Sequence, residues 1–96
     1  MTHRHFPHTL HLVHHLPTNS YGCVYAEQAR CLACFAQAGS ARRFARRMET
    51  RRNLIVEMTL ADACEVAEQA RLTALVLADD EEHPLIHRLP VRKSRP

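Results

Sequence analysis

The sequence predicts a small single domain of the α/β class, with an α+β arrangement as the alternative. The chain has 96 residues, of which 46% are hydrophobic, enough to bury one core but not two. Short apolar runs of strand length alternate with stretches whose apolar residues recur three and four positions apart. An octapeptide that begins at Cys23 also recurs, with changes, from Cys64. Together these features predict the order β-α-β-α-β-α-β-β, ending in a β-hairpin.

The N-terminal part is expected to be a flexible arm, residues 1–8, which is rich in His and Arg. The globular domain is expected to span residues 9–91, and residues 92–96 to form a basic tail. The domain begins with leucines that alternate with other residues and stop at Pro17, which predicts a strand over residues 10–16.

The next helix is predicted from the internal repeat. Cys23-Val-Tyr-Ala-Glu-Gln-Ala-Arg30 aligns with Cys64-Glu-Val-Ala-Glu-Gln-Ala-Arg71, and in the same register Thr18 aligns with Thr59. Both threonines stand where a helix N-cap is needed. The repeat therefore predicts a helix over residues 19–30, followed by a strand over residues 31–36. The α+β alternative differs here, because in it residues 23–35 form a hairpin and only the two later helices exist.

The second copy predicts a β-α-β unit. An apolar run predicts a strand over residues 53–58, and Thr59-x-x-Asp62 is a capping box in its Asp form. The helix after it has small apolar residues on one face, and residues 72–77 predict a buried strand. A polar turn then leads to a last strand over residues 85–91, which is predicted to pair with residues 72–78.

Charge is segregated along the chain, although the formal net charge is only +3. Residues 42–52 contain six arginines and one glutamate, whereas residues 57–82 contain eight carboxylates and one arginine. Lys93 is the only lysine among 13 formal cations. This preference for arginine favours bidentate contacts with phosphate or carboxylate over diffuse attraction.

The arginine segment is predicted to be a helix that Ser40 caps. An apolar stripe of Ala41, Phe44, Ala45 and Met48 is opposed on the helical wheel by Arg42, Arg43, Arg46 and Arg47. Arg51 and Arg52 are expected to extend this basic face around the C-terminal end of the helix. Such a face is typical of proteins that bind phosphate backbones. The competing interpretation is a solvated face that pairs internally with the acidic segment 57–82.

Metal sites are a further candidate, because Cys31-x-x-Cys34 and six histidines before Pro17 resemble ligand sets. In a strand over residues 31–36 the two side chains point to opposite faces and their Cα atoms lie about 10 Å apart, so the two thiols cannot share an ion. We therefore expect no metal and no cofactor. Only Gly22 and Gly39 are glycines, which excludes a glycine-rich phosphate loop, and nothing places a cysteine beside a histidine; an enzyme is not expected.

The sequence thus predicts a small non-catalytic binding protein that acts through residues 40–52 on nucleic acid or a nucleic-acid complex. The first alternative is a protein-protein inhibitor or adaptor of a nucleic-acid-handling partner, of mobile-element or phage type, and the second is a His/Cys zinc-binding module. The expected partners are a nucleic-acid phosphate backbone or an acidic protein surface, and a homodimer is also considered. Apolar runs of membrane-spanning length are absent from the sequence, so we expect a cytoplasmic protein that does not contact membranes.

Overall fold

The computed structural model describes residues 5–48 and 51–90, which form seven strands and two helices. These elements are β1 (Thr9–His15), β2 (Ser20–Tyr21), β3 (Cys23–Ala26), β4 (Ala29–Cys34), α1 (Ala38–Arg47), β5 (Asn53–Thr59), α2 (Leu60–Gln69), β6 (Ala74–Leu77) and β7 (Leu85–Arg88). One sheet is antiparallel with the order β2-β1-β5. The other has the order β3-β4-β6-β7 and is mixed, because β4 and β6 run parallel. The protein is therefore a single α+β domain.

The helix predicted over residues 19–30 is wrong. This segment forms β2 and β3, and a two-residue turn at Glu27 and Gln28 joins β3 to β4. Both turn residues have positive φ, 51° and 64°, a pairing that matches the right-handed twist of a tight hairpin and cannot occur within a helix. The hairpin alternative for residues 23–35 is confirmed, and the strand predicted over residues 31–36 is present as the end of β4.

The second half of the chain follows the predicted element order more closely. Thr59 caps α2, since its Oγ1 accepts a hydrogen bond from the backbone N–H of Asp62 at 3.1 Å. The hairpin of β6 and β7 is confirmed. The predicted β-α-β unit is present in sequence but not as neighbouring strands, because β5 lies in the antiparallel sheet and β6 lies in the mixed sheet.

The two sheets are joined where β2 becomes β3. The N–H of Gly22 donates to the carbonyl of Val13 at 2.8 Å, and the carbonyl of Gly22 accepts from the N–H of Ala33 at 3.0 Å. Close by, His11 and Phe35 exchange two backbone hydrogen bonds of 2.7 and 2.9 Å. The chain therefore passes from one sheet to the other without leaving backbone groups unpaired at the junction.

The helices lie on opposite faces of this joined sheet. α2 packs Ala63 and Ala67 on a core that includes Leu10, Leu12 and Leu32. α1 packs on a second cluster, formed by Val13, Ala33, Phe35 and Ala41. Strand residues alternate between the two clusters, as the period of two requires. The arginines of α1 consequently lie on the opposite side of the domain from α2.

Gly22 allows α1 to approach the sheet closely. A Cβ atom at this position would lie 2.8 Å from Cε2 of Phe44 and 3.6 Å from Cβ of Val13. We expect Gly22→Ala to lower the free energy of unfolding by about 1 kcal/mol, at the low end for overpacking, because the ring of Phe44 is half-buried and can shift. Urea unfolding monitored by circular dichroism measures this effect. Gly39→Ala is the control, since its Cβ would meet only Nη1 of Arg43, at 3.8 Å; equal destabilisation by both changes would contradict the close packing.

The structure describes the second half of the predicted N-terminal arm but not the predicted C-terminal tail. Of the predicted arm, residues 5–8 are described, and they contact the domain: the ring of Phe6 lies 5.4 Å from that of His87, and the carbonyl of His8 accepts from the N–H of Leu60 at 2.8 Å. Residues 1–4 and the predicted basic tail, residues 92–96, lie outside the described residues. In the described part of the chain no helix is long and apolar enough to cross a membrane.

Candidate binding surface

The arginine helix α1 begins earlier than its sequence predicts. Ser40 is not the N-cap; Gln37 occupies that position, and the side chain of Gln37 makes no capping hydrogen bond. Asp79 holds the chain just before the helix instead, because its two carboxylate oxygens accept from the N–H groups of Ala36 at 2.6 Å and of the N-cap residue Gln37 at 3.1 Å. Ser40 is buried inside the helix, where its Oγ accepts from Nη2 of Arg43 at 3.2 Å.

Sheet topology explains how Asp79 reaches this helix. β4 and β6 are parallel neighbours, so their carboxyl ends meet at the same edge of the mixed sheet. The first leads into α1 and the second leads directly to Asp79. A carboxylate at a helix N-terminus is stabilised by the unpaired amides and by the helix dipole. Asp79 therefore places a negative charge at the N-terminal end of α1, which disfavours binding of an anionic partner there and favours its binding to the arginine side chains.

All four arginines of the predicted basic face, Arg42, Arg43, Arg46 and Arg47, are exposed on α1. The predicted apolar stripe is confirmed on the opposite side, where Ala41 is buried and Phe44, Ala45 and Met48 pack on Val13 and Phe35. Arg51 and Arg52 are also exposed but precede β5, where the carbonyl of Arg52 accepts from the N–H of Leu16 at 3.0 Å. They therefore lie beside the turn between β1 and β2.

One flank of the basic face borders an acidic turn. Nη1 of Arg47 lies 2.5 Å from Oε1 of Glu81, and both side chains are largely exposed. Arg43, Arg46 and Arg47 line a cleft of about 750 Å³ together with residues 79–82. Among the residues that the structure describes, this ion pair of Arg47 with Glu81 is the one that joins the basic face to the acidic segment. Within the described residues, neither Arg42 nor Arg46 makes an ion pair or a side-chain hydrogen bond.

The acidic turn has a defined local geometry. Asp80 accepts hydrogen bonds through Oδ1 from the N–H groups of Glu82 at 3.0 Å and His83 at 3.3 Å. Desolvation acts to raise the pKa of Asp80, but these two amides and the nearby His83 ring together lower it below its ordinary value. Asp80 is therefore ionised at neutral pH, next to the arginine face.

An apolar cleft of about 350 Å³ lies beside the C-terminal end of α1 and shares Arg47, Ala78 and Glu81 with the first cleft. Its apolar lining comes from β3, from α1 and its C-cap, from β6 and from the connection between β6 and β7: Val24, Ala26, Phe44, Met48, Val76, Ala78 and Pro84. Arg47 and Glu81 lie at its edge. The sequence does not predict this cleft, because its walls come from strands and a helix that only the sheet order brings together.

The cysteines are dispersed over both faces of the mixed sheet. Cys31 packs with Ala74 and Val76, whereas Cys34 lies in the cluster around Leu32 and Leu75, so the two thiols occupy opposite faces of β4 as predicted. Burial raises the pKa of the Cys34 thiol. Among residues 5–48 and 51–90, no group of three or more His, Cys, Asp or Glu residues is placed to hold a metal ion.

The repeat assigns Cys23 and Cys64 to equivalent positions of two helices, but the structure places them in different kinds of secondary structure. Cys23 lies in β3 and Cys64 lies in α2. The matching of Thr18 with Thr59 also fails. Thr18 lies in the turn after β1, where its Oγ1 is 2.7 Å from Nδ1 of His15 and 2.6 Å from Oγ of Ser20. Thr18 therefore stabilises the turn through its side chain and does not cap a helix.

No protein-family model matches the chain, and no curated protein is similar to it in sequence. The surface chemistry of the molecule is therefore the basis for its proposed function.

Proposed function

We propose that the protein is a non-catalytic binding protein that contacts the phosphate backbone of nucleic acid through the arginine face of α1. The observation that supports this is the presence of four exposed guanidinium groups on one ten-residue helix whose opposite side is packed on the sheet. Planar guanidinium groups donate pairs of hydrogen bonds to phosphate oxygens, and displaced counterions add to the affinity.

Arg42 and Arg46 are proposed to make the main contacts. They are four residues apart and so lie on neighbouring turns of the same helix side. Arg47 is engaged by Glu81, and Arg43 donates to Ser40, so these two would exchange an internal contact for a phosphate. Arg42 also lies outside the cleft that residues 79–82 border, which keeps it away from the acidic turn.

Salt dependence tests this proposal quantitatively. We expect wild-type protein to bind a short duplex with a slope of about −3.5 in a plot of log affinity against log salt concentration, as four phosphate contacts require. The double variant Arg42→Gln, Arg46→Gln should reduce this slope in magnitude by about 2 and weaken binding at least tenfold at low salt, because two contacts are lost. Fluorescence anisotropy with labelled DNA and RNA duplexes measures both quantities.

The matched control is Arg30→Gln, Arg71→Gln. Both arginines are exposed, the first on β4 and the second after α2, and the change in net charge is the same. Arg30 lies with the last residues of α2 along a different cleft from the one that α1 borders. Equal weakening by the two double variants would show that net charge alone attracts the nucleic acid and would contradict a site on α1.

Binding of a protein partner is the second candidate, and the apolar cleft beside α1 favours it. A cleft of about 350 Å³ with an ion pair at its edge can hold an apolar anchor residue of a partner, and arginine is enriched at such interfaces. A pull-down from lysate with and without nuclease separates the candidates. Nucleic acid that is retained by wild type and lost in Arg42→Gln, Arg46→Gln supports the first, and a protein partner that withstands nuclease supports the second.

A further inference from the structure

β5 forms an outer edge of the antiparallel sheet. It pairs with β1 on one side over the whole length of seven residues, from Asn53 to Thr59. On its other side no strand pairs with it among residues 5–48 and 51–90. A strand of this length in an edge position offers a row of backbone donors and acceptors to another chain.

The groups that point outward can be assigned from the hydrogen bonds of β1. The N–H and C=O groups of His11 bond to Phe35, and the C=O group of Val13 accepts from the N–H of Gly22. These backbone groups therefore point away from β5. Leu10, Leu12 and His14 must then face β5, where their partners are Met58, Val56 and Leu54. The N–H and C=O groups of Ile55 and Glu57 consequently point out from the edge.

This edge has few of the features that usually block strand addition. It contains no proline, glycine or lysine between Asn53 and Thr59, and the structure shows an unbroken register with β1. The other outer strands are shorter, with two residues in β2 and four residues in each of β3 and β7. Leu54 is 49% exposed on this strand, although it is apolar.

We propose that β5 pairs antiparallel with β5 of a second copy of this chain, with the two-fold axis passing through Ile55. Antiparallel edges are self-complementary, because each outward N–H of one copy meets an outward C=O of the other. In this register Leu54 lies opposite Val56 of the second copy, and Glu57 lies opposite Asn53.

Charge disfavours the axes that lie closer to Glu57, at Val56 and at Glu57 itself. Glu57 is the only charged residue of β5, and its Oε2 lies 3.4 Å from Nε2 of His11 on β1. With the axis at Ile55, the two Glu57 residues are four positions apart along the strand, about 13 Å, which exceeds the screening length of about 8 Å in physiological salt. An axis at Glu57 would place the two carboxylates directly opposite each other, which is unfavourable.

The interface is small. With the axis at Ile55, residues 53–57 of the two copies pair, and five residues at about 3.3 Å each give a contact roughly 17 Å long, which is at the low end for protein association. Dimerisation should therefore depend on concentration. The pairing would extend the antiparallel sheet from three strands to six and would place both α1 helices on the same face, because a two-fold axis perpendicular to a sheet preserves its faces.

Sedimentation equilibrium and amide hydrogen exchange test the proposal on the unmodified protein. The average mass should fall on dilution from twice the 11.0 kDa of one chain to that of one chain. The amides of Ile55 and Glu57 should be protected at high concentration and lose at least tenfold in protection on dilution. Those of Leu54 and Val56, which bond to β1, should stay protected in both states. A monomer at millimolar concentration, or a dimer whose Ile55 and Glu57 amides exchange rapidly, would overturn the proposal.

Ile55→Pro gives an independent test, because this substitution removes an outward N–H without removing a bond to β1. The variant should be monomeric at concentrations at which wild type and the control Ile55→Val are dimers. A folded Ile55→Pro variant that still dimerises would refute pairing along β5. If the proline prevents folding, the exchange of the Ile55 and Glu57 amides in wild type decides the question.

Discussion

Phe35→Ala is expected to lower the free energy of unfolding by about 4 kcal/mol, the largest effect of any single substitution considered for this protein. The side chain of Phe35 is 1% exposed and lies in the cluster between α1 and the joined sheets. Its ring is tilted against that of Phe44, with centroids 5.3 Å apart. Removing it leaves a cavity at the junction of the two sheets, where the surrounding backbone is held by hydrogen bonds to His11 and cannot collapse.

Urea unfolding followed by circular dichroism measures this loss, and Phe44→Ala is the matched control. Phe44 belongs to the same cluster but is half-buried and lines the apolar cleft, so its removal should cost about 2 kcal/mol. The ratio of the two effects is the informative quantity. A cost below 1 kcal/mol for Phe35→Ala would show that α1 does not close over this residue.

Asp79→Ala is expected to lower the free energy of unfolding by about 2 kcal/mol, because two amides at the start of α1 lose a charged acceptor. Asp79→Asn should have a smaller effect, since one carbonyl oxygen remains to accept. The amides of Ala36 and Gln37 should exchange faster in Asp79→Ala than in wild type, which nuclear magnetic resonance can measure. Asp80→Ala serves as the neighbouring control, because Asp80 bonds only within its own turn; equal acceleration at Ala36 in both variants would contradict the role of Asp79.

The sequence correctly predicted the elements that are determined by residues close to one another in the chain. Thr59 and Asp62 are three residues apart, so the cap that begins α2 is visible in the sequence, and its hydrogen bond from the Asp62 N–H to Oγ1 of Thr59 is present in the structure. The alternation of β1 and the hairpin of β6 and β7 also depend on neighbouring residues. The start of α1 could not be predicted in this way, because its capping group, Asp79, is 42 positions from Gln37.

The helix predicted over residues 19–30 failed for a different reason. The same pentapeptide, Ala-Glu-Gln-Ala-Arg, occurs at residues 26–30 and 67–71. In the first place it forms the turn and flanking residues of a hairpin, and in the second it ends α2. Pairing of β3 with β4 stabilises the hairpin conformation at residues 26–30. The intrinsic preference of the pentapeptide is too weak to determine its structure, so its place at the end of α2 does not predict a helix at residues 26–30.

The candidate site was partly predictable. Periodicity alone placed Arg42, Arg43, Arg46 and Arg47 opposite the apolar stripe, and the structure shows them exposed. The ion pair of Arg47 with Glu81 and the apolar cleft depend on β4 and β6 being neighbours. Sheet order is a property of the whole chain, so these features had no local signal.

The bond between Asp79 and the start of α1 also orders events during translation. A ribosome adds the residues of α1 well before residue 79, at a point where β4 still lacks its parallel neighbour β6. Until residue 79 and the turn after it are added, this segment has neither the carboxylate that holds its N-terminal end nor the acidic turn that holds Arg47. Its positive charge is therefore least compensated while the chain is still attached to the ribosome, and the surface is completed only when most of the protein has been made.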